Sequence, residues 1–379
     1  MRVFENLNID FLGKRRMFFL VSASILLVGI ISLIFRGLAL GIDFKGGSEV
    51  ALQFENEINI SEVRDQVNLI GLGNVEVKTF GGTTGIIIRT EMQEIPREIF
   101  PRVISTIETL IDRYYPGTEK SIIDSTYNSV TYSFGTPEIA DDLNAKLFEA
   151  GFQTSKISEE PTNTALIIRI GISDWIKENL IEKYADNKFT VLKEDRVGPK
   201  IGQELKRDTI IAIGLSLLGI LIYLGFRFKW TFAIGAVAAL FHDVLITLGL
   251  FSILYDVIPG LNLEISLPVV AAFLTLVGYS INDTVVVFDR VREFMKIHKT
   301  LGLQEVMNRA INRTMNRTLV TSFTTLITVI VLLVFGGEVL RGFAFVLFIG
   351  IIVGTYSSIF VAISFVLEYS LKSKKQIHF

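Results

Sequence analysis

The sequence predicts an α-helical integral membrane protein with six transmembrane helices and an α+β extracytoplasmic domain. Half of its 379 residues are hydrophobic and the mean hydropathy is +0.49, which excludes an ordinary soluble domain. Six apolar runs are long enough to cross a bilayer, which takes about 20 residues of helix. Between the first two runs lies a long polar segment with alternating and amphipathic patterns, which are typical of a water-soluble domain.

The order of segments along the chain follows from these runs. We predict a cytoplasmic N-terminus at 1–16, a first span at 17–35, an extracytoplasmic domain at 36–206, five further spans within 207–368 and a cytoplasmic tail at 369–379. The five later apolar runs cover 209–226, 230–255, 265–288, 318–335 and 343–367. The first run is longer than a signal-peptide core of about 7 to 15 residues, and no A-x-A-like cleavage site follows it, so we expect it to remain as an anchor.

The distribution of Lys and Arg predicts the orientation. Basic residues precede the first span and recur in every second link and in the tail: Lys14, Arg15, Arg16, Arg227, Lys229, Arg290, Arg292, Lys296, Lys299, Arg309, Arg313, Lys372, Lys374 and Lys375. The alternate links, 256–264 and 336–342, contain a single basic residue, Arg341. The positive-inside rule therefore places both termini in the cytoplasm. We expect the basic segment 290–313 to lie against anionic membrane lipid.

The polar segment reads as two repeats, 49–125 and 130–193. Each has the strand and helix order βαββαβ, which is the ferredoxin-like order. Turn signals support the assignment: Gly81 and Gly82 between strands, Pro137 at a helix start and Gly151 past a helix end. Acidic residues outnumber basic ones in this domain, so nucleic acid is not an expected partner.

Asp283 is the most informative residue of the chain, because the apolar run 265–288 contains no other charge. A carboxylate at the centre of a membrane helix costs about 2.5 to 3.5 kcal/mol on insertion scales, and it usually faces a partner or an ion path. On a helix, Tyr279 and Val287 share its face and Ser280 lies close by. This pattern indicates a transporter component.

The fifth span carries the polar residues expected to meet Asp283. Arg317 and Thr321 begin a stripe that Thr324, Thr325 and Thr328 continue at helical spacing. Arg317 is the natural counter-ion, and a pair that forms and separates is suited to proton coupling. Alternatively, Ser and Thr stripes often only hold helices together, and an acid near a membrane face can serve assembly alone.

His242 and Asp243 form a second polar pair, in the middle of the third span. His242 could relay protons, and it could equally be a hydrogen-bonded structural group. We expect no metal site, because His298 and His378 are far from this pair and the chain has no cysteine. No P-loop, HExxH helix or cysteine nucleophile is present in the sequence, so we expect neither an enzyme with catalytic residues nor a cofactor.

Several motifs in order resemble the SecF family of bacterial protein-export membrane proteins, in the SecD/SecF group of the resistance-nodulation-division superfamily. They are the segments 41–47, 196–202, 241–243, 278–289, 316–318 and 354–358. The resemblance covers all six spans and both flanks of the outer domain.

The resemblance implies a role in protein translocation. It implies a multi-pass protein of the bacterial cytoplasmic (inner) membrane that pairs with SecD, associates with the SecYEG translocon and uses the proton-motive force to move unfolded preproteins. It also implies that Asp283, Arg317 and Thr321 lie on the proton path. One departure is the second outer repeat, because SecF proteins usually carry a single small outer domain.

Mechanistically, we expect protonation of Asp283 to loosen its pairing with Arg317 and to move the outer domain through glycine-rich hinges. The expected hinge residues are Gly46, Gly47, Gly198 and Gly202. Two other functions stay open: one half of a proton-driven small-molecule exporter of the same superfamily, and a structural scaffold that stabilises a translocon.

Overall fold

The structure is a computed structural model, and it describes residues 8–73, 75–92, 94–126, 128–149, 152–158, 160, 162–169, 171–258 and 261–373. The ends of the predicted cytoplasmic segments, including Lys374, Lys375 and His378, and the predicted turn at Gly151 lie outside these ranges. The chain divides into two compact units. The helical unit is Met1–Asp43 with Glu204–Phe379, and the α+β unit is Phe44–Gln203.

Helices and strands are numbered in chain order. The helices are α1 (Arg15–Phe35), α2 (Ile42–Lys45), α3 (Ile60–Leu69), α4 (Phe100–Tyr114), α5 (Pro137–Glu149), α6 (Ile172–Lys183), α7 (Pro199–Arg227), α8 (Trp230–Leu254), α9 (Leu267–Ile297), α10 (Leu303–Phe335), α11 (Gly337–Ser357) and α12 (Ile363–Ser373). The strands are β1 (Gly47–Phe54), β2 (Val75–Thr79), β3 (Gly85–Thr90), β4 (Lys120–Thr126), β5 (Ser129–Phe134), β6 (Gln153–Lys156), β7 (Ala165–Arg169) and β8 (Phe189–Val197). A π-helical turn, Ser358–Ala362, joins α11 to α12.

The prediction of six membrane-spanning helices is confirmed. Among the described residues, six helical segments are long and apolar enough to cross a bilayer, the last being Val339–Lys372, which runs through the π-helical turn. Several of them extend beyond their apolar runs; α9, for example, continues to Ile297 and α10 begins at Leu303. Most of the basic segment 290–313 is therefore helical. Its amphipathic pattern continues the helical spacing of the two spans that it connects.

Helices α1 and α8 run parallel in a fixed register. Ser22 contacts His242, Gly29 contacts Gly249, and Ser32 contacts Ser252, and each pair is 220 residues apart in the chain. A constant separation over ten residues requires that both helices point the same way. At the crossing, a Cβ on Gly249 would lie 2.7 Å from the Gly29 Cα, so glycine permits the close approach.

Small residues also bring α11 against α9. A Cβ on Gly350 would lie 2.3 Å from Leu276 Cδ1, and one on Gly354 would lie 3.1 Å from the Ser280 Cβ. Gly350 and Gly354 of the last span therefore lie on a packing face. Half of the residues in the apolar parts of α8, of α9 and of the last span, which contains α11, are buried, whereas 6% are buried in α7. Helices α8, α9 and α11 therefore form the centre of the helical unit.

The α+β unit has the predicted order of elements, but its strands pair differently from two self-contained repeats. One sheet has the order β2-β3-β1-β8 and the other β4-β5-β7-β6, with all neighbours antiparallel. The last strand of the predicted repeat 49–125 thus joins the second sheet, and the last strand of 130–193 joins the first. The reason is the short link between Thr126 and Ser129, which closes β4 and β5 into a hairpin.

The two sheets nevertheless have equivalent internal details. The edge strands β8 and β4 each carry a one-residue bulge at their fourth residue, which is Leu192 in β8 and Ile123 in β4. The two sheets also share one hydrophobic core. Within it, Trp175 of α6 donates from Nε1 to the carbonyl of Ile70 at 3.1 Å, which joins the second half of the α+β unit to the first.

Candidate functional site

Asp283 lies where three membrane-spanning helices meet. Its side chain is buried in α9, with 4% of the residue exposed. Ser322 of α10 donates from Oγ to Asp283 Oδ2 at 3.4 Å, and the same Oγ lies 2.7 Å from Thr355 Oγ1 of α11. We call Asp283, Ser322 and Thr355 the Asp283 cluster. Among the described residues, the hydrogen-bonding neighbour of the carboxylate is a hydroxyl group rather than a cation.

Arg317 and Thr321 lie on another face of α10. Both residues are exposed in this chain. Arg317 is near enough to act on Asp283 through space, but within the described part of the chain no salt bridge of 4.0 Å or less joins the two. Thr321 donates from Oγ1 to the carbonyl of Arg317 on its own helix at 3.0 Å. The predicted direct ion pair is therefore not formed here.

The rotation of α10 in the bundle explains the difference between the predicted and observed neighbours of Asp283. One face of α10 carries Arg317, Thr321, Thr324 and Thr328. Their spacing in the sequence does not determine which neighbouring helix this face meets. The face that packs against α9 and α11 instead carries Ser322, which is 7% exposed. The part of Arg317 and Thr321 in a proton path stays a prediction.

A second buried carboxylate, Asp243, has hydrogen bonds on both oxygens. The residue is fully buried in α8. Oδ2 accepts from Ser280 Oγ of α9 at 2.6 Å and from Ser357 Oγ of α11 at 2.7 Å. Oδ1 lies 2.9 Å from Nδ1 of the neighbouring His242. Three membrane-spanning helices thus converge on one carboxylate.

His242 extends this arrangement to α1. Its Nε2 lies 3.1 Å from Ser22 Oγ, which is 2.9 Å from the Tyr356 hydroxyl. Tyr356 donates to the carbonyl of Phe18 at 2.9 Å, and its ring stacks on the imidazole. We call Ser22, His242, Asp243, Ser280, Tyr356 and Ser357 the Asp243 cluster. Although adjacent residues point about 100° apart on a helix, both His242 and Asp243 are buried because α8 is surrounded by its neighbours.

Several residues of the two clusters were not evident from the sequence. Ser22 and Ser322 each lie close in sequence to other hydroxyl residues, Ser24 and Thr321, and no pattern distinguishes them from residues that bond to their own helix. Thr355, Tyr356 and Ser357 belong to a motif whose small residues predict packing. One signal was present in the sequence: residues 355–358 are four consecutive hydroxyl side chains inside an apolar span.

Two of the predicted hinge glycines, Gly46 and Gly47, have other backbone atoms close to them. Gly46 and Gly47 have φ values of +79° and +119°. A Cβ on Gly46 would lie 3.1 Å from Pro199 Cα, and one on Gly47 would lie 2.2 Å from the Thr90 carbonyl oxygen. Gly198 accepts a hydrogen bond from the Gly202 amide at 2.9 Å, in the first turn of α7. The positive φ values and the close backbone atoms thus explain why positions 46 and 47 are occupied by glycine. The hinge role of all four glycines stays a prediction.

No group of three or more His, Asp or Glu side chains with the arrangement of a metal site occurs among the described residues. His242 and Asp243 have each other and hydroxyl groups as partners. In both clusters, carboxylate, imidazole and hydroxyl groups are joined by hydrogen bonds.

Comparison with known proteins decides the family. The family model described as protein export membrane protein SecD/SecF, C-terminal, matches residues 176–372, and the SecD/SecF GG motif matches residues 31–58. The protein translocase subunit SecF of Rhodothermus marinus is 38% identical over 97% of this chain and 95% of its own length. The chain belongs to the SecF family. Because this SecF relative aligns over nearly its whole length, the long outer segment is not peculiar to the present chain.

Fused relatives extend the comparison. The protein translocase subunit SecDF of Thermus thermophilus is 48% identical over 189 residues, which are 50% of this chain and 25% of that protein. A crystal structure of SecDF, a translocon-associated membrane protein from the same organism, superposes with a TM-score of 0.65 at 28% identity. The match covers 97% of this chain and 39% of the SecDF chain. This membrane protein of the SecF family thus matches less than half of the fused SecDF chain.

Proposed function

We propose that this chain works with a SecD partner at the SecYEG translocon and uses the proton-motive force to promote the translocation of unfolded preproteins. The observation that supports the proposal is the enclosed Asp283, which faces a hydroxyl group and is not held in a salt bridge within the described structure. A carboxylate in such a position can take up and release a proton without first breaking an ion pair. Each charge that crosses the membrane potential carries about 2.3 kcal/mol per 100 mV.

The exposed face of α10 supports the need for a partner. Thr321, Thr324 and Thr328 are exposed on the membrane-spanning part of α10, and Arg317 is exposed directly before it. Polar and charged side chains in a membrane usually face the interior of a helix bundle. A second membrane protein with polar side chains would cover this face. The fusion of SecD and SecF in one Thermus thermophilus chain makes a SecD protein the natural candidate.

We further propose that both termini lie in the cytoplasm of the bacterial inner membrane and that the α+β unit is extracytoplasmic. The excess of Lys and Arg in alternate links supports this orientation. The parallel register of α1 and α8 agrees with it, because the first and third spans must then run in the same direction. In this orientation the α+β unit would meet the preprotein as it emerges.

The two other functions make different predictions. A scaffold that only stabilises the translocon would tolerate a neutral residue at position 283. One half of a small-molecule exporter would export its substrates without SecD, as an assembly of identical chains. Export of a preprotein that depends on both Asp283 and SecD would contradict both alternatives.

The experiment is pulse-labelled preprotein export in cells whose only copy carries Asp283→Asn. We expect export to slow by at least tenfold while the membrane level of the protein and its co-purification with SecD stay normal. Asp289→Asn is the matched control, because Asp289 is an exposed carboxylate on the same helix, 3.5 Å from Arg227, and exposed ion pairs contribute little. Normal export in Asp283→Asn cells would refute the proposal and favour the scaffold.

A further inference from the structure

The Asp243 cluster contains two buried ionisable side chains that the proposed function does not use. We propose that it is a second proton-binding site, that His242 takes up the proton, and that the site is coupled to Asp283. The inference rests on the proposed function only for its purpose, which is to pass protons through the bundle. Its evidence is the unbroken series of contacts from Asp243 through His242 and Ser22 to Tyr356.

With a neutral imidazole, every donor in this series has an acceptor. Nδ1–H of His242 donates to Asp243 Oδ1 at 2.9 Å, so Nε2 must accept. The Ser22 hydroxyl is the donor within reach, at 3.1 Å. Tyr356 meanwhile donates to the carbonyl of Phe18. No buried donor of the series is left unpaired, as buried polar groups require.

With a protonated imidazole, the same heavy-atom positions again satisfy every donor. Nε2–H donates to Ser22 Oγ, and the Ser22 hydroxyl rotates to donate to the Tyr356 oxygen at 2.9 Å. Tyr356 keeps its bond to the Phe18 carbonyl. Uptake of the proton therefore needs the rotation of one hydroxyl group and no movement of a helix. The imidazolium also balances the charge of the fully buried Asp243, which would otherwise be costly in the bundle.

Two helices connect this site to the Asp283 cluster. On α9, Ser280 donates to Asp243 and lies three residues before Asp283. On α11, Ser357 donates to Asp243 and lies two residues after Thr355, which contacts Ser322. Immediately after Ser357, α11 changes into the π-helical turn, an irregularity that is frequent at functional sites. A change of charge at either carboxylate thus acts on the same two helical turns.

Few other ionisable groups face His242. Asp243 is on the same helix, Tyr356 is on α11, and Asp283 is on α9. Helix α1 presents hydroxyl groups here, since its charged residues within the described range, Arg15 and Arg16, are at its first turn. The other ionisable residues with described side chains on these helices are Tyr279, Asp289, Arg290, Arg292, Glu293 and Lys296 of α9, Arg341 of α11, and Glu368, Tyr369 and Lys372 of α12, and Glu368 is bonded to Arg15 at 2.8 Å. Of these groups, Asp243 is hydrogen-bonded to His242 and Tyr356 is in ring contact with it, whereas Asp283 is linked to the site through Ser280 on α9. We therefore expect the protonation of His242 to depend chiefly on Asp243.

The chain contains three histidines, so the protonation of His242 can be observed directly. In the full-length protein in lipid nanodiscs, His298→Gln with His378→Gln leaves His242 as the sole histidine. Nuclear magnetic resonance of isotope-labelled imidazole nitrogens is then recorded from about pH 5 to about pH 9, the range in which histidines titrate. We expect the signals to change from the cationic to the neutral pattern within this range. An imidazole that keeps one pattern throughout would overturn the proposal.

Matched serine variants test the proposed series of contacts. Ser22→Ala removes the partner of Nε2, and we expect it to move the titration midpoint by about one pH unit, a tenfold change in proton affinity. Ser24→Ala is the control, because Ser24 is exposed and bonds to the Leu20 carbonyl of its own helix. Thermal unfolding of each variant confirms that the fold is retained. Equal midpoints in the two variants would show that the Ser22 contact has no part in proton binding.

Asp283→Asn in the same background tests the coupling. We expect the His242 midpoint to move by about half a pH unit or more, a threefold change in affinity. An unchanged midpoint would show that the two sites are independent and would overturn the coupling. The two proposals can fail separately: normal export with Asp283→Asn refutes the proposed function, whereas a His242 that does not titrate refutes the second site alone.

Discussion

Ser280 and Asp283 lie three residues apart on α9, yet they belong to different buried clusters. Ser280 donates to Asp243 of α8 at 2.6 Å, whereas Asp283 accepts from Ser322 of α10 at 3.4 Å. One turn of α9 therefore contacts both neighbouring helices through polar side chains. The two carboxylates are connected by a short rigid segment, which is a physical route for coupling between them.

The geometry of the Asp283 cluster predicts that Ser322 matters more than its sequence suggests. Ser322→Ala removes the hydroxyl next to the carboxylate, and a lost hydrogen bond of this kind is worth about 1 kcal/mol. We expect pulse-labelled export to slow by about fivefold. Thr324→Ala, whose hydroxyl bonds to the carbonyl of Val320 on its own helix, should leave export unchanged. Thr321→Ala tests whether protons pass Ser322 or the exposed face of α10. A larger loss of export in Thr321→Ala than in Ser322→Ala would favour the exposed face.

The crossing of α1 and α8 predicts a steric limit at Gly249. Gly249→Ala would place a Cβ 2.7 Å from Gly29 Cα, and overpacking of this kind costs about 1 to 3 kcal/mol. We expect a lower thermal unfolding temperature in detergent. Gly214→Ala is the control, because a Cβ on Gly214 of α7 would meet nothing within 4 Å. Equal unfolding temperatures for the two variants would argue against the close crossing.

Much of this architecture could be predicted from the sequence, because it depends on local pattern. Continuous apolar runs identify the six spans, alternation identifies the strands, and a charge inside an apolar run marks Asp283 and the pair His242–Asp243. The partners of these residues could not be predicted. Whether Ser322 or Thr321 faces Asp283 depends on how α10 is rotated in the bundle, and packing sets that rotation. Likewise, alternation identifies β4 as a strand but does not show which sheet it joins.

The junction at the start of β1 predicts a strong requirement for glycine at position 47. Gly47→Ala combines a positive φ of +119° with a Cβ 2.2 Å from the Thr90 carbonyl oxygen. Gly82 has a similar φ of +124° but nothing within 4 Å of its Cβ, so Gly82→Ala measures the backbone strain alone, about 1 to 3 kcal/mol. We expect limited proteolysis to cut the α+β unit faster in Gly47→Ala than in Gly82→Ala. If both variants are cut at the same rate, steric contact has no role at Gly47, and a hinge becomes the better explanation.

The pairing of β8 with β1, and of β4 with β5, can be tested by disulfide cross-linking, since the chain has no cysteine. Gln53 of β1 faces Thr190 of β8, and facing residues on neighbouring strands are close enough for a disulfide. We expect the pair Gln53→Cys with Thr190→Cys to form a disulfide under mild oxidation, as detected by peptide mass spectrometry. Ser121 has the position in β4 that Thr190 has in β8, two residues before the bulge. Gln53→Cys with Ser121→Cys should therefore stay reduced, whereas two self-contained repeats would give the opposite result, because β4 would then lie beside β1.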